Sequence, residues 1–421
     1  MLKSWITNEL PATSEPLIGL ISHNKRATVA VLSFAEFLAM SVWFSASAVI
    51  PALTADWHLS SADQAWLTMS VQAGFVMGAF LSSLLNLADY VPSHFLFAAT
   101  SVLASIATGL IAFLTPDLTL ALMLRFLTGF LLAGVYPVGM KIIATWTKED
   151  RGLGIGLLVG ALTLGSAAPH LINALGGIDA WRPVLNYSAT MAFLGGIITL
   201  AFVREGPYST RFQKFNWRYV VQVFSQRDLA LANFGYLGHM WELYAMWAWI
   251  PIFLLSSFQA RSIEPVWAAV CTFAVVGVGG IGAVFAGYLA DRVGRTTITI
   301  ASMLISGSCA ILAGVLYGGN PYALVVVCLV WGFSVVADSA QFSACITELC
   351  QTQYLGTALT LQTSLGFLLT LVTIRLIPIL ASSLGWSYAF AILSVGPAFG
   401  IWAMNELRKL PSSAQLAGGK R

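Results

Sequence analysis

Twelve long apolar stretches dominate this chain, and each can cross a lipid bilayer as one helix, because a spanning helix needs about 20 mostly apolar residues. Hydrophobic residues make up 58% of the chain and charged residues only 9%, too little charge to cover a soluble protein of this length. We therefore predict an all-α, polytopic membrane protein with twelve transmembrane helices. The predicted spans are residues 28–50, 63–86, 94–114, 118–143, 152–174, 184–203, 229–255, 265–289, 296–316, 322–347, 355–380 and 386–406.

Basic residues fall mainly on one side of this topology. Of the 21 Lys and Arg residues, 16 lie in the two tails and the even-numbered connections, whereas only Arg182 and Arg261 lie in the odd-numbered ones. Positively charged residues mark cytoplasmic loops, so both termini are predicted to be cytoplasmic. Residues 1–27 contain no apolar core of a cleavable signal and are interpreted as a tail.

The two halves of the chain repeat one another. Glu36 begins an eight-residue stretch that recurs 206 residues later at Glu242, and Gly129 recurs 203 residues later at Gly332. Similar offsets in different helices indicate internal duplication and hence two pseudo-symmetric six-helix bundles. The predicted units are an N-terminal tail (1–27), an N-terminal bundle (28–203), an amphipathic linker on the cytoplasmic membrane surface (204–228), a C-terminal bundle (229–406) and a C-terminal tail (407–421).

A loop motif identifies a related family. Gly287-Tyr288-Leu289-Ala290-Asp291-Arg292-Val293-Gly294-Arg295 closely resembles the loop signature of the major facilitator superfamily, and Leu124-Arg125-Phe126-Leu127-Thr128-Gly129 resembles its R-x-x-x-G pattern. The resemblance implies two bundles around a central cavity, lined mainly by spans 1, 4, 7 and 10, that work by alternating access. It also implies a cytoplasmic gate, which we assign to Asp89, Asp291, Arg292 and Arg295.

The chain departs from some branches of that family. In the first-half copy of the loop motif, Tyr90 and Pro92 replace the expected Arg and Gly. The Gly-Pro pair of many proton-driven drug exporters is also missing from span five. Residues 136–141 resemble bacterial members grouped with nitrate/nitrite porters, although the nitrate motif is absent. We therefore expect a bacterial inner-membrane location and do not assign nitrate as the substrate.

Two carboxylates lie deep in predicted spans. Glu36, Met40 and Trp43 share one helical face, and Glu242 and Met246 repeat the spacing. A charge at the bilayer centre costs roughly 2.5–3.5 kcal/mol, so such groups usually face a cavity or a partner. We expect these carboxyl groups to meet a water-accessible central chamber and exchange protons there; the alternative is a structural anchor between helices. The residues assigned to proton coupling are Glu36, Glu242, Asp338 and His239.

Aromatic, basic and amide side chains accompany these carboxylates. Arg125 and Arg375 are expected either to bind an anionic substrate or to neutralise an acidic residue. Trp241 and Tyr244 lie too deep for an interfacial belt, so they either line a cavity for flat or apolar groups or pack the bundle. The residues assigned to substrate binding are Met40, Trp43, Arg125, Trp241, Tyr244, Met246, Gln341 and Arg375.

Closely spaced glycines occupy two predicted spans. Gly152, Gly156 and Gly160 follow one another at four-residue intervals in span five, and Gly280 and Gly287 lie in span eight. Such spacing lets helix backbones approach closely in lipid. We expect these glycines either to form the contact between the two halves or to pack tightly within one bundle.

The sequence contains no phosphate-binding G-x-x-x-x-G-K-[ST] motif and no H-E-x-x-H motif. We therefore predict neither an enzyme nor an ATP-driven pump, and no cofactor, metal or nucleic-acid partner. The favoured function is a monomeric secondary active transporter that couples protons to the uptake of a small polar or amphipathic organic solute, with organic anions as candidates. The alternatives are a proton-antiport exporter of drugs, metabolites or siderophore-like compounds and, more remotely, a transporter-like sensor or channel.

Overall fold

A computed structural model describes residues 24–85, 87–114, 117–147, 151–176, 180–208, 217–351 and 355–420. Within these ranges the regular structure is helical. Most of the predicted N-terminal tail, part of the predicted linker and the side chain of Asp89 lie outside the described part.

The helices, in chain order, are α1 (Lys25–Met40), α2 (Ile50–Trp57), α3 (Ser61–Leu85), α4 (Leu87–Tyr90), α5 (Ser93–Leu114), α6 (Leu118–Leu132), α7 (Tyr136–Trp146), α8 (Arg151–Gly176), α9 (Trp181–Phe202), α10 (Trp217–Ser225), α11 (Arg227–Gln259), α12 (Pro265–Val293), α13 (Arg295–Val315), α14 (Pro321–Ala337), α15 (Ser339–Leu349), α16 (Leu355–Leu384), α17 (Trp386–Ala389) and α18 (Val395–Lys409). Short 3-10 turns lie at Ser47–Val49, Phe390–Ser394 and Pro411–Gly419.

Ten helical stretches of the described chain are long and apolar enough to cross a membrane. They match ten of the twelve predicted spans. Helices α6 and α7 together make up one of these stretches, and α14 and α15 make up another. The two predicted spans that fall outside this group are the ones that carry Glu36 and Glu242. The first is interrupted, since α1 ends at Met40. The second, α11, is 33 residues long but buries Asn233, His239 and Glu242 among its apolar side chains.

Two of the apolar stretches are broken near their middle at related positions. Between α6 and α7 the helix stops at Leu132 and restarts at Tyr136. Pro137 explains this break, because proline has no N–H to donate to the carbonyl four residues earlier. Between α14 and α15 the break falls at Asp338, which ends one helix and begins the next.

Equivalent helices of the two halves pack in equivalent pairs. In the first half, α1 packs on α8 and α9, α3 on α6, and α5 on α6 and α9. In the second half, α11 packs on α16 and α18, α12 on α14, and α13 on α14 and α18. These pairs correspond one to one under the sequence repeat, so the duplication extends to the packing.

Among the described residues, the halves contact each other most extensively through two helix pairs, α8 with α12 and α3 with α16, and α8 also contacts α15. The contact between α8 and α12, which we call the glycine seam, brings the backbones of the two helices together directly. A Cβ atom on Gly160 would lie 3.0 Å from the carbonyl oxygen of Gly280, and one on Gly287 would lie 2.9 Å from that of Gly152. The glycines therefore form the contact between the halves, the first of the two alternatives expected from their spacing. At the second pair, Ser83 Oγ lies 2.9 Å from Thr360 Oγ1.

The first residues of the predicted linker are anchored to the first half. Trp146 Nε1 donates to the carbonyl of Arg204, and Glu205 accepts the backbone N–H of Ser93 at 3.0 Å, at the start of α5. Partial burial disfavours ionisation of Glu205, but the bonds from Ser93 and the charge of Lys141 outweigh it and hold the pKa of this carboxyl below its ordinary value.

The predicted C-terminal tail is docked rather than extended. Leu416 is completely buried, and the backbone N–H of Ala417 donates to Glu348 Oε2 at 3.0 Å. Ala417 has a φ of 47° and is followed by two glycines with positive φ, a left-handed turn that returns the chain toward α12. Lys420 Nζ lies 3.2 Å from the carbonyl oxygen of Asp291.

Candidate functional site

The first predicted span unwinds just beyond Glu36. The single hydroxyl proton of Ser41 has two carbonyl acceptors, those of Leu38 at 2.7 Å and Ser188 at 2.9 Å, and Ser45 Oγ donates to the carbonyl of Val42 at 2.9 Å. Serine hydroxyls that bond the backbone compete with regular helix bonds. Residues 41–46 form a non-helical stretch that we call the unwound segment.

Arg125 of α6 binds this unwound segment. Its Nη1 donates to the carbonyl of Val42 at 2.7 Å and to Ser45 Oγ at 3.3 Å, Nη2 donates to the carbonyl of Trp43, and Nε donates to the carbonyl of Leu67 at 3.4 Å. The guanidinium is completely buried. Among the described residues no carboxylate lies within 4 Å of it. Arg125 thus satisfies carbonyls released by the helix break, while its positive charge has no ionic partner in the described part.

An aromatic cluster fills the centre of the protein, between the halves. The rings of Trp43 and Phe75 from the first half contact Tyr244 and Phe367 from the second: Phe75 lies 4.6 Å and Trp43 5.6 Å from Phe367, and Trp43 lies 6.0 Å from Tyr244. Their tilted planes and spacings are those of favourable aromatic pairs. All four side chains are buried, so the halves meet through ring faces and edges.

Glu36 is buried without a hydrogen-bond partner. Its exposed fraction is 0%, and neither carboxyl oxygen has a partner among the described residues. Its Oε2 lies against the backbone of α7, where a Cβ on Gly139 would come within 2.9 Å. An unpaired buried charge costs far more than a neutral polar group, and among the described residues Glu36 has no donor that would compensate a negative charge.

Glu242, the equivalent of Glu36 in the second half, accepts a hydrogen bond at each of its two carboxyl oxygens. Ser306 Oγ donates to its Oε2 at 2.8 Å and Trp331 Nε1 donates to its Oε1 at 2.7 Å. One turn earlier, His239 Nδ1 lies 2.9 Å from Asp338 Oδ1, at the break between α14 and α15. The two halves therefore carry the same carboxyl group in opposite settings, one unpaired and one held by two donors.

In this structure both carboxyl groups are closed off from solvent, since Glu36 is 0% and Glu242 1% exposed. Where a water-accessible chamber was expected, the aromatic cluster is packed. A shallow, open groove lies elsewhere, on the outer surface between α3 and α6, against Trp66, Ser70 and Met123. None of the residues assigned to proton coupling or substrate binding lines that groove.

Asp291 and Arg295 belong to an ionic network at the C-terminal end of α12. Arg295 makes two bonds with Glu348, at 2.8 and 2.6 Å, donates to Gln341 Oε1 at 2.8 Å and lies 3.2 Å from Asp291 Oδ1. Such paired guanidinium–carboxylate bonds are among the stronger ones in proteins. Arg292 lies outside this network and stacks on the Tyr288 ring at 3.9 Å.

Asp291 also joins the halves, because it lies against Gly152 in the first turn of α8. A carboxylate is favourable at that position, where unpaired N–H groups and the helix dipole are positive. Gly294, between α12 and α13, has a φ of 108°. Only glycine adopts this conformation without strain, which accounts for the last glycine of the loop motif.

The other predicted site residues are dispersed. Gln341, assigned to the substrate, lies in the ionic network around Arg295, and Trp241 donates through Nε1 to the carbonyl of Ile392 at 3.0 Å. Met40 and Met246 are buried, and Arg375 is half-buried on α16. Sequence reasoning missed Ser306 and Trp331, which bind Glu242, and Glu348, which binds Arg295.

These features together describe a transporter-like membrane protein, and a family comparison agrees. Residues 32–372 match the Major Facilitator Superfamily, so the chain belongs to that family. It is accordingly a multi-pass membrane protein of a transporter family.

Two relatives carry specific names. The chain is 30% identical over 247 residues to a Bacillus subtilis protein named for niacin/nicotinamide transport, NiaP, covering 57% of this chain and 60% of the relative. It is 25% identical over 321 residues to the niacin transporter NiaP of Acinetobacter baylyi, covering 68% of this chain and 70% of that relative. The chain thus spans less than two thirds of the length of the first of these relatives.

Proposed function

We propose that this chain is a secondary active transporter that takes up a small, flat aromatic carboxylate or its amide, of the niacin type, together with protons. The observation that carries the proposal is the aromatic cluster between the halves, next to a buried guanidinium that has no ionic partner among the described residues. The proposed architecture is twelve spans in two six-helix bundles, at residues 28–203 and 229–406, with both termini cytoplasmic.

The two spans beyond the ten apolar ones come from the helices that carry the carboxylates. Residues 25–57, with α1, the unwound segment and α2, are long enough to cross the bilayer, as is α11. Polar groups in such spans normally face a partner or a pathway. The matching helix pairs of the two halves support assigning six spans to each.

The substrate class follows from the chemistry at the centre. Ring stacking between Trp43, Tyr244 and Phe367 suits a flat aromatic ring that inserts when the halves separate. The uncompensated charge of Arg125 favours an anionic group in the same region, since a buried charge is screened only weakly. A niacin-like solute combines both properties, and the names of the two relatives support that choice.

The proposed proton carrier is Glu36, because an unpaired carboxyl group exchanges its proton without breaking other bonds. Glu242, with its two donors, is proposed to support coupling by holding α11 to α13 and α14. Asp338 and His239 form a second titratable pair that we assign to coupling. Alternating access would expose these groups in turn, with the network around Arg295 closing the cytoplasmic side.

The test is uptake of labelled nicotinate and nicotinamide into proteoliposomes under an imposed pH gradient. We expect gradient-driven accumulation in the wild type and its loss in Glu36→Gln. Glu242→Gln should reduce the rate while leaving the dependence on the gradient. Unchanged coupling in Glu36→Gln would refute the role of Glu36 as the proton carrier. Absence of uptake of either compound, with intact reconstitution, would refute the substrate class.

A further inference from the structure

Gln72 of α3 is a completely buried side chain whose amide has no partner. Its exposed fraction is 0%, and neither Nε2 nor Oε1 has a hydrogen-bond partner among the described residues. The indole N–H of Trp43 is likewise buried and unpaired there. Buried polar groups in native proteins are nearly always paired, so each exception calls for an explanation.

The neighbours of Gln72 show where its side chain faces. Thr68, Gln72 and Phe75 are spaced i, i+4 and i+7 and share one face of α3. Thr68 Oγ1 lies 2.7 Å from Ser47 Oγ, and the Phe75 ring lies 4.9 Å from that of Trp43. Since both flanking residues contact the chain from Trp43 to Ser47, Gln72 faces that same segment.

The unwound segment therefore lies between two polar groups. Arg125 approaches it from α6, and Gln72 faces it from α3. Broken helices near the middle of transporters leave polar backbone groups available for substrates. In this protein Arg125 donates to the carbonyls of Val42 and Trp43, whereas the Gln72 amide and the Trp43 indole N–H have no hydrogen-bond partner in the described part of the chain.

We propose that Gln72 and the indole N–H of Trp43 form the subsite that binds the polar group of the aromatic substrate. This inference rests on the proposed function and deepens it. A glutamine amide offers both donors and an acceptor. It can donate to a carboxylate, beside the charge of Arg125, or pair reciprocally with a carboxamide. The same subsite thus accepts an aromatic acid and its amide.

The experiment compares binding of benzoate, benzamide, nicotinate and nicotinamide to purified full-length protein, followed by tryptophan fluorescence. Gln72→Glu places a carboxylate in the subsite; we expect acids to lose about tenfold or more in affinity and amides to lose much less, because like charges repel. Gln72→Met should weaken binding of acids and amides alike. Gln362→Met is the matched control: Gln362 is also buried, but its Oε1 already accepts a bond from Ser343 at 3.2 Å.

Thermal unfolding separates this role from a structural one. Replacing an unpaired buried amide by an apolar side chain of similar size should leave the melting temperature unchanged or raise it. A lowered melting temperature in Gln72→Met, with an unaltered acid-to-amide ratio in Gln72→Glu, would overturn the assignment. So would the absence of binding of all four probes to the wild type. Absence of uptake alongside Gln72-dependent binding would instead refute the proposed function and leave the subsite standing.

Discussion

The glycine seam between α8 and α12 permits a prediction whose size follows from distances. A Cβ on Gly280 would lie 2.9 Å from the carbonyl oxygen of Gly160 and 3.3 Å from Leu164 Cγ. On Gly277, one turn away in the same helix, the nearest atom would be Leu164 Cδ2 at 3.5 Å. The 3.5 Å distance at Gly277 is ordinary van der Waals contact, whereas the 2.9 Å distance at Gly280 requires one of the two helix backbones to move.

We expect Gly280→Ala to destabilise the seam by about 1–3 kcal/mol, the usual cost of overpacking a rigid contact. Both substitutions gain roughly the same helix propensity, about 1 kcal/mol. The difference between Gly280→Ala and Gly277→Ala therefore isolates the clash. If the seam separates during transport, 1–3 kcal/mol corresponds to a shift of about 5- to 150-fold between the conformations.

The assay compares thermal unfolding and uptake of the two variants in the same membrane preparation. Gly280→Ala should melt several degrees lower than Gly277→Ala and transport at a different rate. Equal melting temperatures and equal rates, or a larger defect in Gly277→Ala, would refute the reasoning that backbone contact at Gly160 and Gly280 sets the distance between the halves.

Three further predictions concern individual contacts. Trp331→Phe removes one donor from Glu242 and should destabilise the protein by about 1–3 kcal/mol; a wild-type melting temperature would contradict this. Glu348→Gln weakens the paired bonds to Arg295 and should open the proposed cytoplasmic gate. Buried cysteines should then react faster with a membrane-impermeant maleimide applied to the cytoplasmic face. An unchanged reaction rate would argue that this network does not close the gate. Leu416→Ala leaves a cavity, at a cost of about 2–5 kcal/mol, and should make the C-terminal segment susceptible to protease; continued resistance would show that docking does not depend on this side chain.

Much of the fold could be predicted from the sequence, because lipid imposes a simple rule: backbone polar groups must be satisfied within each helix. Apolar length located ten of the spanning stretches within a few residues. The repeat at Glu36 and Glu242 predicted the equivalence of the halves, which appears in the helix pairs. Glycine spacing predicted close backbone approach, although it did not show whether the glycines lie between the two halves or within one bundle.

The site was harder to predict, because partners in space leave little trace in a single sequence. Arg125 was expected to meet an anion or an acidic residue, and it binds the carbonyls of the unwound segment, which apolar length alone does not predict. Gln341 was assigned to substrate binding, yet it accepts a bond from Arg295 of α13. The roles of Glu36 and Glu242 in coupling stay predictions, and their different surroundings could not be inferred from matching sequence stretches.

The interruption of the span that carries Glu36 has a consequence for biogenesis. Helix α1 has 16 residues, fewer than a spanning helix needs, and it contains a carboxyl group, which lowers the tendency of a segment to leave the translocon for lipid. This segment is thus poorly suited to integrate alone, and it emerges from the ribosome before most of its future neighbours. We expect its retention to depend on later helices, so truncated nascent chains that end after residue 57 should integrate poorly until α8 and α9, its packing partners, have been made.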